Sequence, residues 1–144
     1  MTNENGNYDI KALYSSDDGG TWSTSTVADS SSDETYPAVY MSGNSAYCVY
    51  ISQGNLYYIE SEDGGAVWGA ATQVNDVDGT VVNEENSADI HSAGIVFTDE
   101  RDGNADIYFA TVGNAPATPN RPDGPTNVRT NAKATYTTST TDPN

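Results

Sequence analysis

The sequence predicts an all-β protein, and three of its features lead to this prediction. Short runs of alternating apolar and polar side chains are separated by Gly-Asn and Asp-Gly pairs, which is the pattern of strands joined by tight turns. No segment shows a convincing apolar period of 3.6 residues, so we expect essentially no helix. Ten Tyr, two Trp and two Phe supply large side chains for a core, although only 35% of the 144 residues are hydrophobic.

The alternating runs recur with a period of about 48 residues. Gly-Asn pairs that open such a run begin at positions 6, 54 and 103. Residues 45–50 resemble residues 92–97, and residues 15–22 resemble residues 61–68. Because three separate alignments agree on one spacing, we interpret the chain as a series of repeated units.

Each unit consists of short predicted strands. Residues 1–30 contain the last two strands of one unit, and residues 80–112 contain three strands of another. The whole unit between them, about residues 31–75, has strands at 36–41, 46–51, 56–60 and 71–74. Four short strands per unit at this period are typical of a β-propeller blade.

We therefore predict a partial β-propeller of about 2.25 four-stranded blades over residues 1–112. A propeller ring needs at least about four blades. The blade count thus leaves two alternatives: the chain is a piece of a longer propeller, or several chains close the ring together through their open blade edges.

The composition changes after residue 112. Five of the six prolines fall between Pro116 and Pro143, and residues 113–125 are predicted to form an extended, Pro-rich linker. Residues 126–144 contain two short β-prone pieces, at 126–129 and 134–138. This last segment is either the stub of a further β module or a disordered, Thr-rich tail.

Two octads in the repeats resemble the Asp-box, also called the BNR repeat, of sialidase-like propellers. Its pattern is Ser-x-Asp-x-Gly-x-Thr-Trp, and the first octad matches every fixed position: Ser15, Asp17, Gly19, Thr21 and Trp22. The second octad has Val67 in place of threonine and matches at Ser61, Asp63, Gly65 and Trp68. Asp and Ser side chains bond backbone groups inside such a turn, and Gly supplies a positive φ. The resemblance implies a structural turn between the third and fourth strands of a blade, away from the ligand face.

A second resemblance lies at the C-terminal end. Residues 122–126 and 136–143 are similar to the opening strands of PKD-like immunoglobulin-type modules in archaeal and bacterial surface proteins. This resemblance implies that residues 126–144 are the stub of a PKD-like β-sandwich module.

Charge excludes several classes of function. Five Lys and Arg against 21 Asp and Glu give a net charge of −16 and a pI near 4.1, which repels phosphate backbones and anionic membranes. We therefore expect no nucleic-acid partner and no membrane insertion, and no apolar run reaches the length of a membrane span. No signal-peptide pattern opens the sequence. The single cysteine, Cys48, is predicted to be a small buried hydrophobic residue.

Catalysis by this chain alone is not expected. The sialidase resemblance implies three arginines that clamp a carboxylate, a Tyr-Glu pair and an acidic Asp. The blade region holds only Arg101, whereas Arg121 and Arg129 lie beyond it, in the linker and the tail. Candidates for a nucleophile or base can be named, but no motif selects them over other residues: Tyr36, Tyr50 and Glu60.

Two acidic loops are candidate calcium sites. In the first, Asp102, Asn104 and Asp106 are alternate oxygen donors of the kind that calcium prefers. The alternative is a plain hairpin turn in which Arg101 pairs with Asp99 or Glu100. We expect no other cofactor.

The second loop has Asp76, Asp78 and Glu85 at EF-hand-like spacing, but Val74 replaces the first ligand, so we predict a loop between blades. The only histidine, His91, aligns with a turn position and is predicted to be exposed and structural.

The predicted function is that of a non-enzymatic extracellular or cell-surface repeat protein that binds glycan or protein or acts as a scaffold. The adjacent Tyr57 and Tyr58 point to opposite faces of a strand and are candidate surface aromatics for sugar stacking. Two alternatives stay open. The chain is a fragment of a sialidase-like glycoside hydrolase whose catalytic residues lie outside it, or it is a structural protein that self-assembles by closing blades between chains.

Overall fold

The computed structural model describes residues 6–92 and 94–111, and none of these residues lies in a helix. The predicted linker at 113–125 and the predicted stub at 126–144 fall outside the described residues. The nine strands are β1 (Ile10–Tyr14), β2 (Ser23–Ala28), β3 (Thr35–Ser42), β4 (Ser45–Ser52), β5 (Asn55–Ser61), β6 (Thr72–Gln73), β7 (Ala88–His91), β8 (Gly94–Asp99) and β9 (Asp106–Ala110). The described part of the chain contains no helix that could cross a membrane.

The strands form three antiparallel sheets whose members follow one another in the sequence. The first sheet is β1-β2, the middle sheet is β3-β4-β5-β6 and the third sheet is β7-β8-β9. The all-β prediction is confirmed, and so are the predicted numbers of strands in the three units. No sheet closes on itself within the described ranges, and those ranges do not show a propeller ring.

The inner strand β4 of the middle sheet is covered on both faces, which explains its nearly continuous apolar run, whereas β3 is more exposed. Cys48, Tyr50 and Ile59 face the first sheet and form one apolar cluster with its residues Ile10 and Val27. Side chains of the other face form a second cluster with the third sheet: Val49, Ile51 and Leu56 pack with Ile90, Ile95, Phe97 and Tyr108. Residues that alternate along β4 and β5 therefore serve two different cores.

Tight turns set the register of the middle sheet. Gln53 and Gly54 have φ values of 52° and 70° between β4 and β5, as a two-residue hairpin with both central residues in the left-handed region requires. Tyr50 consequently lies opposite Tyr57. Cys48 is 3% exposed, and burial raises the pKa of its thiol to about 12, so the prediction of a buried cysteine is confirmed.

Candidate functional site

The first octad is a turn closed by its own side chains, between β1 and β2. Ser15 Oγ donates to Asp17 Oδ1 at 2.8 Å and accepts the N–H of Gly19 at 2.9 Å. Asp17 Oδ1 also accepts the N–H of Thr21 at 2.7 Å. Gly19 has a φ of 86°, which a residue with a side chain rarely adopts.

The second octad, between β5 and β6, repeats this geometry. Ser61 Oγ donates to Asp63 Oδ1 at 2.8 Å and accepts the N–H of Gly65 at 2.9 Å, and the N–H of Val67 donates to Asp63 Oδ1 at 2.8 Å. Valine replaces threonine here without changing the backbone bond, because that bond needs only the N–H group. The first octad adds one bond that valine cannot make, from the hydroxyl of Thr21 to Asp17 Oδ2 at 2.7 Å.

The two octad tryptophans have different surroundings. Trp68 is half-buried, and its Nε1 donates to Ser25 Oγ of the first sheet and to the carbonyl oxygen of Gly65, both at 3.1 Å. Trp22 is 62% exposed. The difference follows from position, because the first sheet packs beside the second octad whereas no described sheet packs beside the first one.

The octad carboxylates make stability depend on pH. Hydrogen bonds lower the pKa of the exposed Asp17 from 3.8 to about 2, and the bond from the N–H of Thr21 has the largest effect. In the second octad, the hydrogen bond from the N–H of Val67 lowers the pKa of Asp63. A carboxyl group whose pKa is lower in the folded state stabilises the fold above its unfolded pKa. That contribution is lost as the pH falls through the folded pKa, so we expect the loss for Asp17 between about pH 4 and about pH 2.

Thermal unfolding of Asp17→Asn over this pH range tests the expectation. At neutral pH the variant should melt below the wild type, and the difference should shrink as the pH falls. Asp18→Asn is the matched control, since it removes the same charge from a neighbour at a φ of 53°, which asparagine tolerates. A constant difference between wild type and Asp17→Asn would contradict the assignment.

The two acidic loops predicted as calcium candidates lie next to each other, joined by Arg101. Its guanidinium pairs with the buried Asp99 at 2.9 Å and with Asp76 of the other loop. The Arg101 guanidinium also lies 4.3 Å from the centroid of the Tyr108 ring. Burial alone would raise the pKa of Asp99, but hydrogen bonds from Arg101 lower it below 3.8. Arg101 thus pairs with Asp99, as one of the sequence alternatives predicted, and Asp99 is fully buried.

Four of the other predicted calcium donors, Asp78, Asp102, Asn104 and Asp106, have protein partners. Asp78 accepts a hydrogen bond from Gln73, Asn104 donates to Asp106 at 2.8 Å, and the Tyr108 hydroxyl donates to Asp102 at 3.4 Å. Residues 6–92 and 94–111 contain no group of three or more His, Cys, Asp or Glu arranged to hold a metal ion. Calcium binding stays a prediction from the sequence.

The structure does not bring the candidate nucleophiles and base together. Tyr50 is 6% exposed on the face toward the first sheet, and burial, with the charge of Glu34, raises its pKa to about 12. Glu60 lies on the opposite face and is exposed. Tyr36 is half-buried beside the core of the middle and third sheets, with a φ of 51° directly before Pro37.

A row of aromatic rings crosses three strands of the middle sheet. Tyr47 lies in the centre, with ring centroids 6.1 Å from Tyr40 and 6.4 Å from Tyr58, and both neighbours are within 17° of parallel to it. The exposed His91, predicted as a turn residue, ends β7 and packs against Tyr40 at 4.7 Å. We call these four residues the aromatic shelf. Its three tyrosines are half-buried and pack against the core that the middle and third sheets share.

Polar groups border the aromatic shelf. The Tyr58 hydroxyl donates to Glu60 Oε2 at 2.7 Å, and burial, followed by this bond, raises the pKa of Tyr58. Ser42 and Ser92 line a depression of about 270 Å³ beside Tyr40 and His91. The prediction that Tyr57 and Tyr58 point to opposite faces is confirmed: Tyr58 belongs to the shelf face, whereas Tyr57 packs toward the first sheet.

No protein-family model, no curated protein and no solved structure matches the chain.

Proposed function

We propose that the three sheets are consecutive blades of a BNR-type β-propeller. Two observations support this proposal. The strands of each sheet pair in chain order, and the middle sheet packs face to face with a sheet on either side. The two octads also have the same internal hydrogen bonds at equivalent places, after β1 and after β5.

The proposed function is non-enzymatic glycan binding by an extracellular or cell-surface repeat protein, with the aromatic shelf as the binding site. The row of parallel rings carries the proposal, because the apolar C–H face of a sugar ring packs on an aromatic face. Glu60 uses one carboxylate oxygen for Tyr58 and leaves Oε1 to accept a bond from a sugar hydroxyl. An uncharged ligand also suits a protein with a net charge of −16, which repels anions.

The environment of Arg101 supports the proposal that the function is non-enzymatic. A sialidase-like carboxylate clamp needs guanidinium groups that face a ligand. Arg101, the single arginine of the described residues, is already paired with Asp99 and Asp76. Its guanidinium therefore stabilises the fold through these two ion pairs.

A glycan array probed with the full chain and with Tyr47→Ala tests the site. Tyr47 contacts both of its neighbours in the row, so its loss should weaken binding to every glycan that the wild type retains by about 30-fold, the effect of losing an interface hot spot of about 2 kcal/mol. Tyr47→Phe keeps the ring and should keep most of the affinity. Phe109→Ala removes a half-exposed ring from the outer face of the third sheet and serves as the control. Equal binding by Tyr47→Ala and wild type, or no glycan bound at all, would refute the proposal.

Self-assembly is a second candidate function, and the outer face of the third sheet favours it. Val96, Ile107 and Phe109 expose apolar side chains there. By the repeat this face corresponds to the face of the middle sheet that the third sheet covers, so a further sheet would find a matching surface. Light scattering on the full chain at micromolar concentration measures its mass in solution and so tests self-assembly. A closed oligomer would support this function, and a monomer would contradict it.

A further inference from the structure

Two buried carboxylates at the beginnings of β1 and β3 each have an oxygen atom without a partner. Asp9 lies directly before β1 and Glu34 directly before β3, and each side chain is 1% exposed. Asp9 Oδ2 and Glu34 Oε2 are the two buried side-chain oxygen or nitrogen atoms of the described residues that lack a hydrogen-bond partner. The two residues belong to one small region, since the N–H of Glu34 donates to the carbonyl oxygen of Tyr8 at 2.7 Å. We call them the carboxylate pair.

The region around the carboxylate pair has more hydrogen-bond acceptors than donors. Asn7 Nδ2 lies 3.2 Å from Asp9 Oδ1, 2.9 Å from the carbonyl oxygen of Ser30 and 3.0 Å from that of Ser32. Three oxygen atoms thus share an amide group that has two hydrogens. Glu34 Oε1 contacts the same segment, because it accepts bonds from the N–H and the hydroxyl of Ser30. Both carboxylates therefore border residues 30–32.

No basic side chain of the described residues neutralises the carboxylate pair. The basic residues there are Lys11 and Arg101. Lys11 Nζ bonds the hydroxyl of Thr26, and Arg101 is paired with Asp99 and Asp76. Burying a carboxylate without an opposite charge is strongly unfavourable. The carboxylate pair therefore needs positive charge from another source.

The repeat indicates that the fold itself does not require these carboxylates. The first octad begins six residues after Asp9 and the second begins six residues after Asn55, so these two residues are equivalent. The N–H groups of Glu34 and Val81 each donate to the carbonyl oxygen of the residue before that position, which makes Glu34 equivalent to Val81. Asn55 Oδ1 accepts two hydrogen bonds of 2.9 Å. The second unit thus forms the same backbone contact with an amide and an apolar side chain in place of two charges.

We propose that the carboxylate pair binds one calcium ion, with the carbonyl oxygens of Ser30 and Ser32 as further ligands. Calcium takes carboxylate and carbonyl oxygens in irregular arrangements, whereas magnesium requires a near-ideal octahedron and keeps several waters. Two carboxylates balance its charge, and each carbonyl oxygen has a second lone pair besides the one that accepts from Asn7. The ion connects the beginning of β1 to the segment before β3, so it stabilises the contact between the first and middle sheets.

The site is distinct from the features described above. It shares no residue with the two acidic loops or with the aromatic shelf, so its failure would leave the proposed glycan binding untouched. Calcium acts here on stability, and the test therefore needs no glycan.

Calorimetric titration of the full chain with calcium chloride, after treatment with a chelator, tests the proposal at neutral pH and constant potassium chloride. We expect one saturable site and a melting temperature that rises with calcium concentration, because the ion binds the folded state. Asp9→Asn and Glu34→Gln keep the side-chain shapes and remove one charge each. Each should weaken calcium binding at least about tenfold, since charge count sets the affinity of such sites.

Two single variants are matched controls. Asp29→Asn removes the same charge from an exposed position of the neighbouring segment, and it should bind calcium like the wild type. Asp102→Asn changes an acidic loop that the sequence alone suggested for calcium, and it should also bind like the wild type.

A double variant, Asp9→Asn with Glu34→Val, guards against a simple failure to fold, because it gives the first unit the side chains that the second unit has at these positions. Without calcium it should melt at or above the temperature of the calcium-free wild type, since it removes two uncompensated buried charges. Calcium should leave its melting temperature unchanged.

Three results would overturn the proposal. The first is a wild type that neither binds calcium nor changes its melting temperature with it, which would mean that the two carboxyl groups are neutralised in another way, such as by a shared proton. The second is equal weakening by Asp29→Asn and Asp9→Asn, which would show a general effect of charge. The third is binding that Asp102→Asn removes and Asp9→Asn keeps, which would place the ion in the acidic loop.

Discussion

Arg101→Met should lower the free energy of unfolding by about 3–5 kcal/mol at neutral pH, the usual cost of leaving a buried charge without its partner. The Asp99 carboxylate has no exposed surface, and Arg101 supplies three of its hydrogen bonds, from the backbone N–H and from Nε and Nη2. Methionine keeps much of the side-chain volume over the Tyr108 ring, so the loss reports charge more than packing. Urea unfolding of the full chain measures it.

The pH dependence of this loss identifies its cause. In the wild type the pKa of Asp99 is lowered, so Asp99 stabilises the fold above its unfolded pKa and loses that contribution as the pH falls through the folded pKa. Without Arg101, burial raises the pKa of Asp99, and protonation relieves the penalty. The difference in the free energy of unfolding between Arg101→Met and the wild type should therefore become smaller as the pH falls toward about 4.

Lys11→Met is the matched control for Arg101→Met. Lys11 is the other basic residue of the described chain, and its Nζ bonds an exposed threonine hydroxyl at 3.0 Å. We expect a change within about 0.5 kcal/mol, as for an ordinary surface substitution. In the double variant Asp99→Asn with Arg101→Met, part of the lost stability should return. An Arg101→Met loss as small as that of Lys11→Met would show that the ion pair does not stabilise the fold.

The bounds of the strands could be predicted closely because the residues of each turn specify its conformation. The predicted strand at 46–51 became Ser45–Ser52 and the predicted strand at 56–60 became Asn55–Ser61, since the Gln53-Gly54 pair between them specifies a two-residue hairpin. Burial of Cys48 followed in the same way from its place in an apolar run. The fourth strand of the middle sheet, Thr72–Gln73, is shorter than the predicted 71–74, because only two pairs connect it to β5.

The sites were harder to predict because they depend on how sheets face one another. Arg101 bonds Asp76, which is 25 residues away, only because the connection between β6 and β7 lies against the end of β8. A repeat period carries no information on that contact. The aromatic shelf did have a signal: Tyr40 and Tyr47 are equally distant from the Gly43-Asn44 turn, and equidistant residues of a two-residue hairpin lie opposite each other.

Phe97→Ala should lower the free energy of unfolding by about 3–5 kcal/mol, the range for removing a buried phenylalanine. Phe97 is 1% exposed and stacks on Tyr108 with ring centroids 5.7 Å apart, inside the core shared by the middle and third sheets. That core joins the middle sheet to the third sheet, so a cavity there weakens the packing of both.

Phe109→Ala gives this prediction its control, since Phe97 and Phe109 are the two phenylalanines of the chain and lie on neighbouring strands of one sheet. Phe109 is on the outer face and 50% exposed, so its removal should cost less than about 1 kcal/mol. The ratio of the two losses, measured by urea unfolding, reports which face of the third sheet is covered. The two variants could instead lose equal free energies of unfolding at micromolar concentration, with dilution reducing only the loss of Phe109→Ala. That result would mean that another copy of the chain covers the outer face. A large Phe97 loss with a small Phe109 loss would establish that face as open, and it would exclude assembly through stacked sheets as the source of the protein's stability.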